Sequence, residues 1–551
     1  MLFLNNDTVV TAGWLDALVR CIERTPRAGL VGSKLVYPDG RLQEAGGIVF
    51  DDGSGWNVGR FGDPDDPRYS FRREVDYCSG AAILLRRALF ERLGRFDARY
   101  TPAYYEDTDL AFAVRAAGLE VHVEPASVVV HFEGITSGTD TASGTKRYQV
   151  VNRDKFVGKW KDALARQPKP GTPITVAATH RAKHRVLIVD ATTPMPDHDS
   201  GSLRMVNLMR VLADLGCQTS FLPENRLYVE RYTAALQELG VEALYAPYAQ
   251  DPLKLLRERG REFDLVILSR HYVAAPYLGL VRLHAPQARV VFDTVDLHYL
   301  REQRAAELAG DAALARHAAA TRAQELRLIR ECDVTLVVSP VEQALLVQDA
   351  PGARVEVLSN VHEVYGCRRP FGERSDLVFV GGFQHPPNTD AVAWFVGEVF
   401  PHVRAELPDV RVHVIGSRVP EAIRALADER VIVHGYVEDI LPYMDGCRVS
   451  IAPLRYGAGV KGKVNMAMSC GLPVVATSAA VEGMHVRVGE DVLVADDPVA
   501  FAANVVRLYR DEALWNTLSA NGLANVERHF SFAAARAAVE RLFVDTGRAR
   551  P

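Results

Sequence analysis

The sequence lacks several features that mark specialised classes of protein. Only seven of its 551 residues are cysteine, none in a Cys-x-x-Cys pair, which argues against structural zinc and a disulfide framework and favours a reducing compartment. No apolar run approaches the ~18 residues that a membrane-spanning helix needs, and no signal-peptide pattern is found. The net charge of -5 comes without a basic run, so we expect no nucleic-acid partner. Together these absences predict a cytoplasmic protein.

What remains is the composition of a large globular protein. Apolar residues make up 48% of the chain and charged residues 24%, which are ordinary values for globular domains. A chain of 551 residues has room for about three compact units, each large enough to bury a core. Short repeats and low-complexity tracts are absent from the sequence.

The pattern of strands and helices changes once along the chain. Residues 1–161 mix strands and helices around a Gly- and Asp-rich stretch, and three prolines among residues 167–173 predict a stiff linker within 162–183. Strands and helices then alternate regularly through 184–368, and the alternation restarts in 369–551. Such alternation predicts two Rossmann-like domains with parallel sheets and a ligand cleft between them, in an α/β protein.

Several elements of residues 1–161 are predicted individually. The apolar run Leu2–Leu4 predicts a buried strand that brings Asp7 to a site at its C-terminal edge. The other predicted elements are helices at Trp14–Arg24 and from about Thr108 to a stop at Gly118, and strands at Gly29–Tyr37, Ala81–Leu85, Glu120–Val123 and Ser127–Val130.

Two groups of polar residues lie where these elements end or begin. Asn5-Asn6-Asp7 follows the first apolar run, and Tyr104-Tyr105-Glu106-Asp107-Thr108-Asp109 places three carboxylates at the start of a helix. A cation and a base near one another would suit transfer chemistry. The residues alone leave another explanation open, because acids in a first helical turn stabilise the helix by ~0.3–1 kcal/mol each.

With Asp76-Tyr77-Cys78-Ser79-Gly80-Ala81 and the strand end at His131, these motifs occur in the order typical of family-2 glycosyltransferases, which the first segment resembles. The resemblance implies a GT-A fold and inverting transfer from a nucleotide sugar, with Mg²⁺ or Mn²⁺ as cofactor. The implied site residues are Asp7 and His131 for the metal, Asn5 for the donor, Asp107 as catalytic base with Glu106 as the alternative, and Gly80 and Asp109 on the acceptor side.

The resemblance also bears on where this sequence starts. In that family, strands that grip the nucleotide precede the motif here written Asn5-Asn6-Asp7, and only four residues stand before it. We therefore expect a truncated GT-A domain: either the gene starts upstream of Met1, or the sequence is a fragment, or the remnant has become a structural appendage.

A loop rich in glycine and lysine is the most distinctive feature of the second half. Residues Arg455–Lys463 contain three glycines and two lysines, and a helix is predicted to follow. Glycines let a backbone approach a diphosphate, and the lysines and helix N-terminus favour an anion. Gly457-x-Gly459-x-x-Gly462 also fits the dinucleotide fingerprint of NAD enzymes. That fingerprint belongs to the first strand–helix turn of a domain, whereas this loop follows the fourth predicted strand, so we disfavour it.

The same loop, followed by Gly471–Thr477, resembles the donor site of family-4 glycosyltransferases, which are retaining enzymes of the GT-B fold and need no metal. Two departures from that family are visible: Ala458 and Met466 stand where it has a pair of glutamates, and its Arg and Lys after Gly382 are absent. The implied donor-binding residues are Gly382, Arg455, Gly457, Gly459, Lys461, Lys463 and Glu482, and the implied acceptor-side residues are Gly201, Asp296 and His298.

These observations predict a tandem glycosyltransferase that uses nucleotide-sugar donors to extend a surface polysaccharide or a lipid-linked glycan. A metal would act in the first domain and none in the second. The alternative is a catalytically inactive protein that binds nucleotide sugars or acts as a scaffold. A lipid-linked acceptor would add peripheral association with the inner face of a membrane.

Overall fold

The computed structural model describes residues 1–132 and 147–544. The predicted first and last domains therefore each include residues outside the described ranges. Contacts divide the chain into two compact units: the first contains Met1–Arg185, Gly216–Phe221 and Tyr228–Asp251, and the second contains Val186–Leu215, Leu222–Leu227 and Pro252–Pro551.

Strands and helices are numbered along the whole chain. The strands are β1 (Leu2–Leu4), β2 (Thr8–Val10), β3 (Ala28–Val36), β4 (Leu42–Glu44), β5 (Gly47–Val49), β6 (Gly55–Asn57), β7 (Arg73–Glu74), β8 (Ala82–Leu85), β9 (Glu120–His131), β10 (His184–Asp190), β11 (Cys217–Pro223), β12 (Glu242–Ala243), β13 (Leu265–Ser269), β14 (Arg289–Asp293), β15 (Val334–Val337), β16 (Val355–Val357), β17 (Ser375–Val380), β18 (Val412–Ile415), β19 (Val431–Gly435), β20 (Cys447–Ala452), β21 (Val474–Ala476) and β22 (Leu493–Val494).

The helices are α1 (Trp14–Arg24), α2 (Arg87–Arg92), α3 (Glu106–Ala116), α4 (Arg147–Leu164), α5 (Ile174–Ala177), α6 (Ser200–Asp214), α7 (Glu230–Glu238), α8 (Pro252–Arg259), α9 (His271–His284), α10 (His298–Ala309), α11 (Ala312–Glu331), α12 (Pro340–Asp349), α13 (Pro386–Trp394), α14 (Phe400–Glu406), α15 (Glu421–Arg424), α16 (Leu441–Gly446), α17 (Gly462–Ser469), α18 (Ser478–Val481), α19 (Pro498–Arg510), α20 (Glu512–His529) and α21 (Phe532–Phe543). No helix among the described residues is long and apolar enough to cross a bilayer.

A mixed sheet organises the first unit. Its strand order is β1-β8-β3-β9-β2, with β4 beside β3 and β7 beside β9. The central strand β3 is buried along its whole length, and α1 covers the sheet with a stripe of buried residues spaced for one helical face. The helix at Trp14–Arg24 is confirmed to the residue, and the strands predicted at Gly29–Tyr37 and Ala81–Leu85 are confirmed within one residue at each end.

Three details of the first unit differ from the sequence prediction. The run Leu2–Leu4 is not a buried strand, since it ends the sheet antiparallel to β8 and Leu4 is 41% exposed. Asp7 lies in the turn between β1 and β2. The two strands predicted on either side of residues 124–126 are one strand, β9, whose pairing with β3 shifts register there. Helix α3 begins at Glu106, two residues earlier than predicted.

The segment predicted as a linker is folded onto the first unit. It contains the end of α4 and the short helix α5. His180 Nε2 and Arg181 Nη2 lie 3.0 and 2.9 Å from Asp76 Oδ1. Burial alone would raise the pKa of Asp76, but the hydrogen bond from His180 and the charge of Arg181 lower it to about 2. Asp76 therefore anchors this segment.

The second unit contains two parallel sheets, as the alternating pattern predicts. One sheet has the order β10-β13-β14-β15-β16, and the other has the order β19-β18-β17-β20-β21-β22. Around the second sheet, an apolar core of buried Val, Leu and Phe side chains includes Phe379, Phe395 and Trp515. Because the strands are parallel, their carboxyl ends lie at one edge of each sheet, where loops can form a site.

Candidate active sites

Motifs far apart in the sequence of the first unit meet at one end of its sheet. The backbone N–H of Asn5 donates to the carbonyl of Ala81 at 2.9 Å, and the N–H of Gly80 donates to Asp107 Oδ2 at 2.9 Å. A Cβ on Gly80 would stand 3.5 Å from the Cβ of Asp107. These hydrogen bonds hold the first turn of α3 against this loop, and the structure places Asn5, Gly80 and Asp107 together.

Asp7 and His131 form a candidate cation site in the first unit. Asp7 Oδ1 lies 3.4 Å from His131 Nε2. Two neighbouring ligands of a hexacoordinate Mg²⁺, each ~2.0–2.1 Å from the ion, stand about 3 Å apart, and a carboxylate with an imidazole also suits Mn²⁺. The pair therefore fits one edge of a coordination sphere. No group of three or more His, Cys, Asp or Glu side chains with metal-binding geometry occurs in the part of the chain that the structure describes.

Gln43 is a neighbour of this pair that the sequence analysis missed. Its Oε1 lies 3.0 Å from His131 Nδ1, and the residue is 2% exposed, on strand β4. With an amide oxygen as acceptor, Nδ1 carries the ring proton and Nε2 presents its lone pair on the side of Asp7. A glutamine in a short strand carries no sequence signal of this contact, because the pairing joins residues 88 positions apart.

The two candidate bases on α3 have different surroundings. Both oxygens of Asp107 accept hydrogen bonds, Oδ2 from Gly80 N at 2.9 Å and Oδ1 from Thr108 N at 2.7 Å. Glu106 Oε2 is buried and has no hydrogen-bond partner among the described residues. Burial and the adjacent charge of Asp107 raise the pKa of Glu106 to about 7. Such a carboxyl group is poised to exchange a proton near neutral pH.

The backbone leading into α3 is unusual. Tyr104 and Tyr105 have φ values of 74° and 75°, in the left-handed region that non-glycine residues rarely adopt. The Tyr105 hydroxyl donates to the carbonyl of Gly53 at 2.8 Å, which helps to hold this conformation. Strained backbone of this kind clusters at functional sites. Here it precedes Glu106 directly and so affects the direction in which the side chains of Glu106 and Asp107 project from the backbone.

Asp109 has packing contacts, and its acceptor-side role stays a prediction. It is 3% exposed and accepts hydrogen bonds from Trp160 Nε1 at 2.7 Å and from the Tyr100 hydroxyl at 3.0 Å, while its Oδ2 lies 2.8 Å from Lys159 Nζ. These contacts fasten α4 to α3. The first-turn acids therefore differ: one anchors a neighbouring helix, and the other two line the site.

In the second unit, the glycine-rich loop lies between β20 and α17, as predicted. Gly457 and Gly459 have φ values of 148° and 69°, which favour glycine. A Cβ on Gly459 would stand 3.2 Å from the Cβ of Asp296, and one on Gly462 would stand 2.5 Å from the Cβ of Ser200. The glycines therefore also let the loop pack against residues of the other half of this unit.

Lys461 and Lys463 are both partly buried at the start of α17. Lys461 Nζ donates to the carbonyls of Ala458 and Gly459 at 2.9 and 2.6 Å, and Lys463 Nζ donates to Asn388 Oδ1 at 2.5 Å. Burial lowers the pKa of Lys461 to about 8, and burial with the charge of Lys461 lowers that of Lys463 to about 7. An anion beside them would favour their charged forms.

Two other predicted donor residues, Arg455 and Gly382, contact protein side chains outside the loop's two lysines. Arg455 forms an ion pair with Asp390 of α13, with an Nε–Oδ2 distance of 2.9 Å, and its side chain is 41% exposed. A Cβ on Gly382 would meet the side chain of Gln384, whereas one on Gly381 would stand 2.9 Å from Lys463 Nζ. Of these two glycines, Gly381 is therefore the one that adjoins Lys463.

Glu482 is paired across the site with an arginine that the sequence analysis missed. Arg304 of α10 contacts the two carboxylate oxygens of Glu482 at 2.5 and 2.8 Å and donates to the carbonyl of Gly457 at 2.6 Å. A Cβ on Gly483 would stand 2.5 Å from the Cβ of Ser339, so this turn also packs tightly. The partner lies 178 residues away, and helical patterning does not reveal it.

Asp296 and His298 lie together where α10 begins. Asp296 accepts from Arg301, and its Oδ1 is 3.4 Å from His298 Nδ1. Burial lowers the pKa of His298 to about 4, so the ring is neutral near pH 7. Both oxygens of the buried Glu325 accept the backbone N–H groups of His298 and Tyr299, at 3.2 and 2.9 Å. Asp296 and His298 thus begin the helix that carries Arg304.

Gly201 has a local structural explanation. It lies in the first turn of α6, where Asp199 caps the helix by accepting from Ser202 N at 2.8 Å. A Cβ on Gly201 would stand 3.2 Å from Asp199 Oδ1 and 3.5 Å from Arg270 Nη2. Asp199 is therefore the cap of this helix.

Comparison with known proteins finds a matching family and similar solved structures. Residues 374–511 match the family described as Glycosyl transferases group 1. In overall structure the chain is similar to sucrose-phosphate synthase from Thermosynechococcus elongatus, with a TM-score of 0.51 and 16% identity, over 66% of this chain and 98% of that one. It is also similar to Anabaena HepE in complex with UDP and glucose. The TM-score is 0.50 and the identity 14%, over 65% of this chain and 98% of that chain. These likenesses show the GT-B fold.

Curated relatives match shorter parts of the chain. The O-antigen biosynthesis protein RfbC of Myxococcus xanthus is 35% identical over 148 residues, which are 25% of this chain and 11% of the relative. The N-acetylglucosaminyl-diphospho-decaprenol L-rhamnosyltransferase of Mycobacterium tuberculosis is 31% identical over 183 residues, 29% of this chain and 57% of the relative. The chain thus spans only part of the length of these relatives.

Proposed function

We propose that the protein is a glycosyltransferase that moves sugars from nucleotide-sugar donors to a growing surface polysaccharide or lipid-linked glycan. The observation that carries this proposal is the pair of partly buried lysines at the N-terminus of α17, inside the segment that matches Glycosyl transferases group 1. Two lysine side chains beside the free N–H groups of a helix N-terminus would suit the binding of a diphosphate. The names of the two curated relatives support a glycan or lipid-linked acceptor.

In the first unit we propose a family-2-like inverting site of the GT-A type. Asp7 and His131 would hold Mg²⁺ or Mn²⁺, whose charge would stabilise the departing diphosphate. Asn5 would lie beside the donor. The convergence of Asn5, Gly80 and Asp107 supports this arrangement, since their proximity results from folding and not from sequence spacing.

Glu106 is our proposed base for this site, with Asp107 as the alternative. A base needs an available lone pair and a pKa near the working pH. Glu106 Oε2 has no hydrogen-bond partner among the described residues, whereas both oxygens of Asp107 already accept N–H groups. Glu106 would take the proton of the acceptor hydroxyl while the acceptor oxygen attacks the anomeric carbon and the bond to the diphosphate breaks. Asp107 would then position the Gly80 loop.

In the second unit we propose a family-4-like site that works without a metal. Lys461, Lys463 and the N–H groups at Gly462 would bind the diphosphate, and Glu482 would face the ribose. Retention of the sugar configuration is the outcome that the resemblance implies. Asp296 and His298 would lie on the acceptor side, beside the loop at Gly459.

A second candidate function is nucleotide-sugar binding without catalysis. It is favoured by one observation in the second unit, the presence of Ala458 and Met466 where the resemblance expects two glutamates. Such a protein would bind a donor and neither hydrolyse nor transfer it.

Donor turnover by the purified protein separates the two functions. UDP-, GDP- and dTDP-sugars would be incubated with the protein, with Mn²⁺ and with a polyprenyl-diphosphate-linked sugar as acceptor, and both hydrolysis and transfer would be followed. A Glu106→Gln/Asp107→Asn variant and a Lys461→Ala/Lys463→Ala variant assign any activity to its site. Turnover that either variant reduces supports a transferase. Binding of a donor without turnover by the wild type would favour the binding function, and absence of binding would contradict both.

A further inference from the structure

Helix α10 brings a cation to the proposed donor site from the other half of the second unit. Arg304 lies in the second turn of this helix. Its Nη1 donates to the carbonyl of Gly457 at 2.6 Å and to Glu482 at 2.5 Å, and its Nη2 donates to Glu482 at 2.8 Å. The guanidinium therefore stands between the first glycine of the proposed diphosphate loop and the carboxylate proposed to face the ribose.

The cations on the loop's own half are occupied by protein groups. Lys461 donates to two carbonyls of its own loop, Lys463 donates to Asn388, and Arg455 is paired with Asp390. The Arg and Lys that family-4 enzymes have after Gly382 are absent from this sequence. The negative charge of a diphosphate at this loop would therefore be stabilised by a further cation from another element. The Arg304 guanidinium already contacts the loop.

The pair between Arg304 and Glu482 is accessible to another anion. The two side chains are 28% and 29% exposed, so an incoming phosphate group can approach the guanidinium from solvent. Arginine also offers a planar fork of N–H donors that matches a phosphate as well as it matches a carboxylate. If a phosphate replaced the carboxylate, the guanidinium would still donate hydrogen bonds to an anion.

We propose that Arg304 is a donor-binding residue, whose guanidinium passes from Glu482 to the diphosphate of a nucleotide sugar and so releases the Glu482 carboxylate to the ribose hydroxyls. The inference rests on the donor site proposed for the second unit. It adds to that site a residue from α10, outside the segment that matches Glycosyl transferases group 1. One movement of a single side chain would link recognition of the diphosphate to recognition of the ribose.

Calorimetry on the full chain tests the inference, with UDP, GDP and dTDP as probes and the matching nucleosides alongside. Arg304→Ala should weaken binding of the preferred nucleoside diphosphate about 10- to 150-fold, the range for a lost charge-assisted hydrogen bond. Arg304→Lys should fall between wild type and alanine, because lysine keeps the charge and loses the fork. Nucleoside binding should be unchanged or tighter in both variants.

Arg322→Ala is the matched control. Arg322 of α11 pairs with Asp349 at 2.6 Å, and its side chain is 43% exposed, so the variant removes a similar ion pair from the neighbouring helix. Its affinity for the diphosphate should equal that of the wild type. Near-ultraviolet circular dichroism of each variant would establish that the fold is retained.

Two results would overturn the inference in different ways. Equal or tighter binding of the nucleoside diphosphate by Arg304→Ala would show that Arg304 only restrains Glu482. If the wild type binds none of the three diphosphates, the donor site itself is wrong, and the inference falls with it.

Discussion

The two candidate sites would meet the same chemical demand with opposite sets of groups. Each must stabilise the negative charge of a departing diphosphate. The first unit offers a carboxylate and an imidazole, Asp7 and His131, which can hold a cation. The second offers Lys461, Lys463 and the N-terminus of α17, which can hold the anion directly. If both proposals hold, local structure decides whether a metal is needed: the turn at Asp7 and the strand end at His131 provide ligands for a cation, whereas a glycine loop that leads into a helix provides N–H groups.

Burial acts on both sites in the direction of neutrality. It raises the pKa of Glu106 to about 7 and, with the charge of Lys461, lowers the pKa of Lys463 to about 7. A buried charged group loses hydration, which disfavours its charged form. Burial therefore raises the pKa of an acid and lowers the pKa of a base. Each site is thus left able to gain from a ligand of opposite charge.

The largest effect is expected at the base of the first unit. Glu106→Gln should lower kcat for transfer by about 10²–10⁴-fold with little change in donor affinity, because it removes a proton acceptor and not a binding group. Wild-type kcat should rise with pH through about 7, since the carboxyl must be ionised to accept a proton. A kcat–pH profile measures both. Near-normal turnover by Glu106→Gln, with a large loss in Asp107→Asn, would return the role to Asp107.

The metal site gives the next test, through its supporting glutamine. Gln43→Leu should weaken Mn²⁺ binding about 10- to 100-fold, as loss of a partner that orients a metal-bound histidine typically does. Electron paramagnetic resonance of free Mn²⁺ measures this without any turnover. Gln218→Leu, which removes a glutamine bonded to the carbonyls of Thr219 and Gly240, should bind Mn²⁺ like the wild type. Equal Mn²⁺ affinity in both variants would remove Gln43 from the site.

A loss of affinity of comparable size is expected when a lysine of the second unit is replaced. Lys461→Ala should weaken binding of a nucleoside diphosphate by about 1.5–3 kcal/mol, the range for a hydrogen bond to a charged group. Binding of the free nucleoside, which lacks phosphates, should hardly change. Calorimetry on both proteins provides the comparison, and identical diphosphate affinities would leave the loop with a structural role alone.

The smallest expected effect is a proton taken up when the anion binds. Lys463 has a pKa of about 7 in the structure, and a bound diphosphate would raise it, so binding at pH 8 should take up protons and affinity should fall as pH rises from 7 to 9. Calorimetry at pH 8 in buffers of different ionisation enthalpy gives the number of protons. Lys463→Arg should reduce the uptake to the share of Lys461, whose pKa is about 8, because arginine stays charged. Equal uptake in this variant would exclude Lys463 as its source.

The sequence predicts the parts of each site that lie on one continuous element. Alternating strands and helices gave the parallel sheets of the second unit, and the glycine loop was placed correctly before α17. Gln43 and Arg304 were missed because each reaches its partner across the fold, where pattern and propensity carry no information. The contacts of Asp109 were missed for the same reason, because Tyr100, Lys159 and Trp160 reach it from other elements of the fold.

Metal dependence of donor binding tests the central claim most directly. Binding of the preferred nucleoside diphosphate would be measured by calorimetry with Mn²⁺ and with EDTA, in an Asp7→Ala/His131→Ala variant and in a Lys461→Ala/Lys463→Ala variant of the full chain. The account predicts that EDTA leaves binding by the first variant unchanged and abolishes the binding that remains in the second. Loss of binding with EDTA in the first variant would contradict a metal-independent site built on Lys461, Lys463 and the N-terminus of α17.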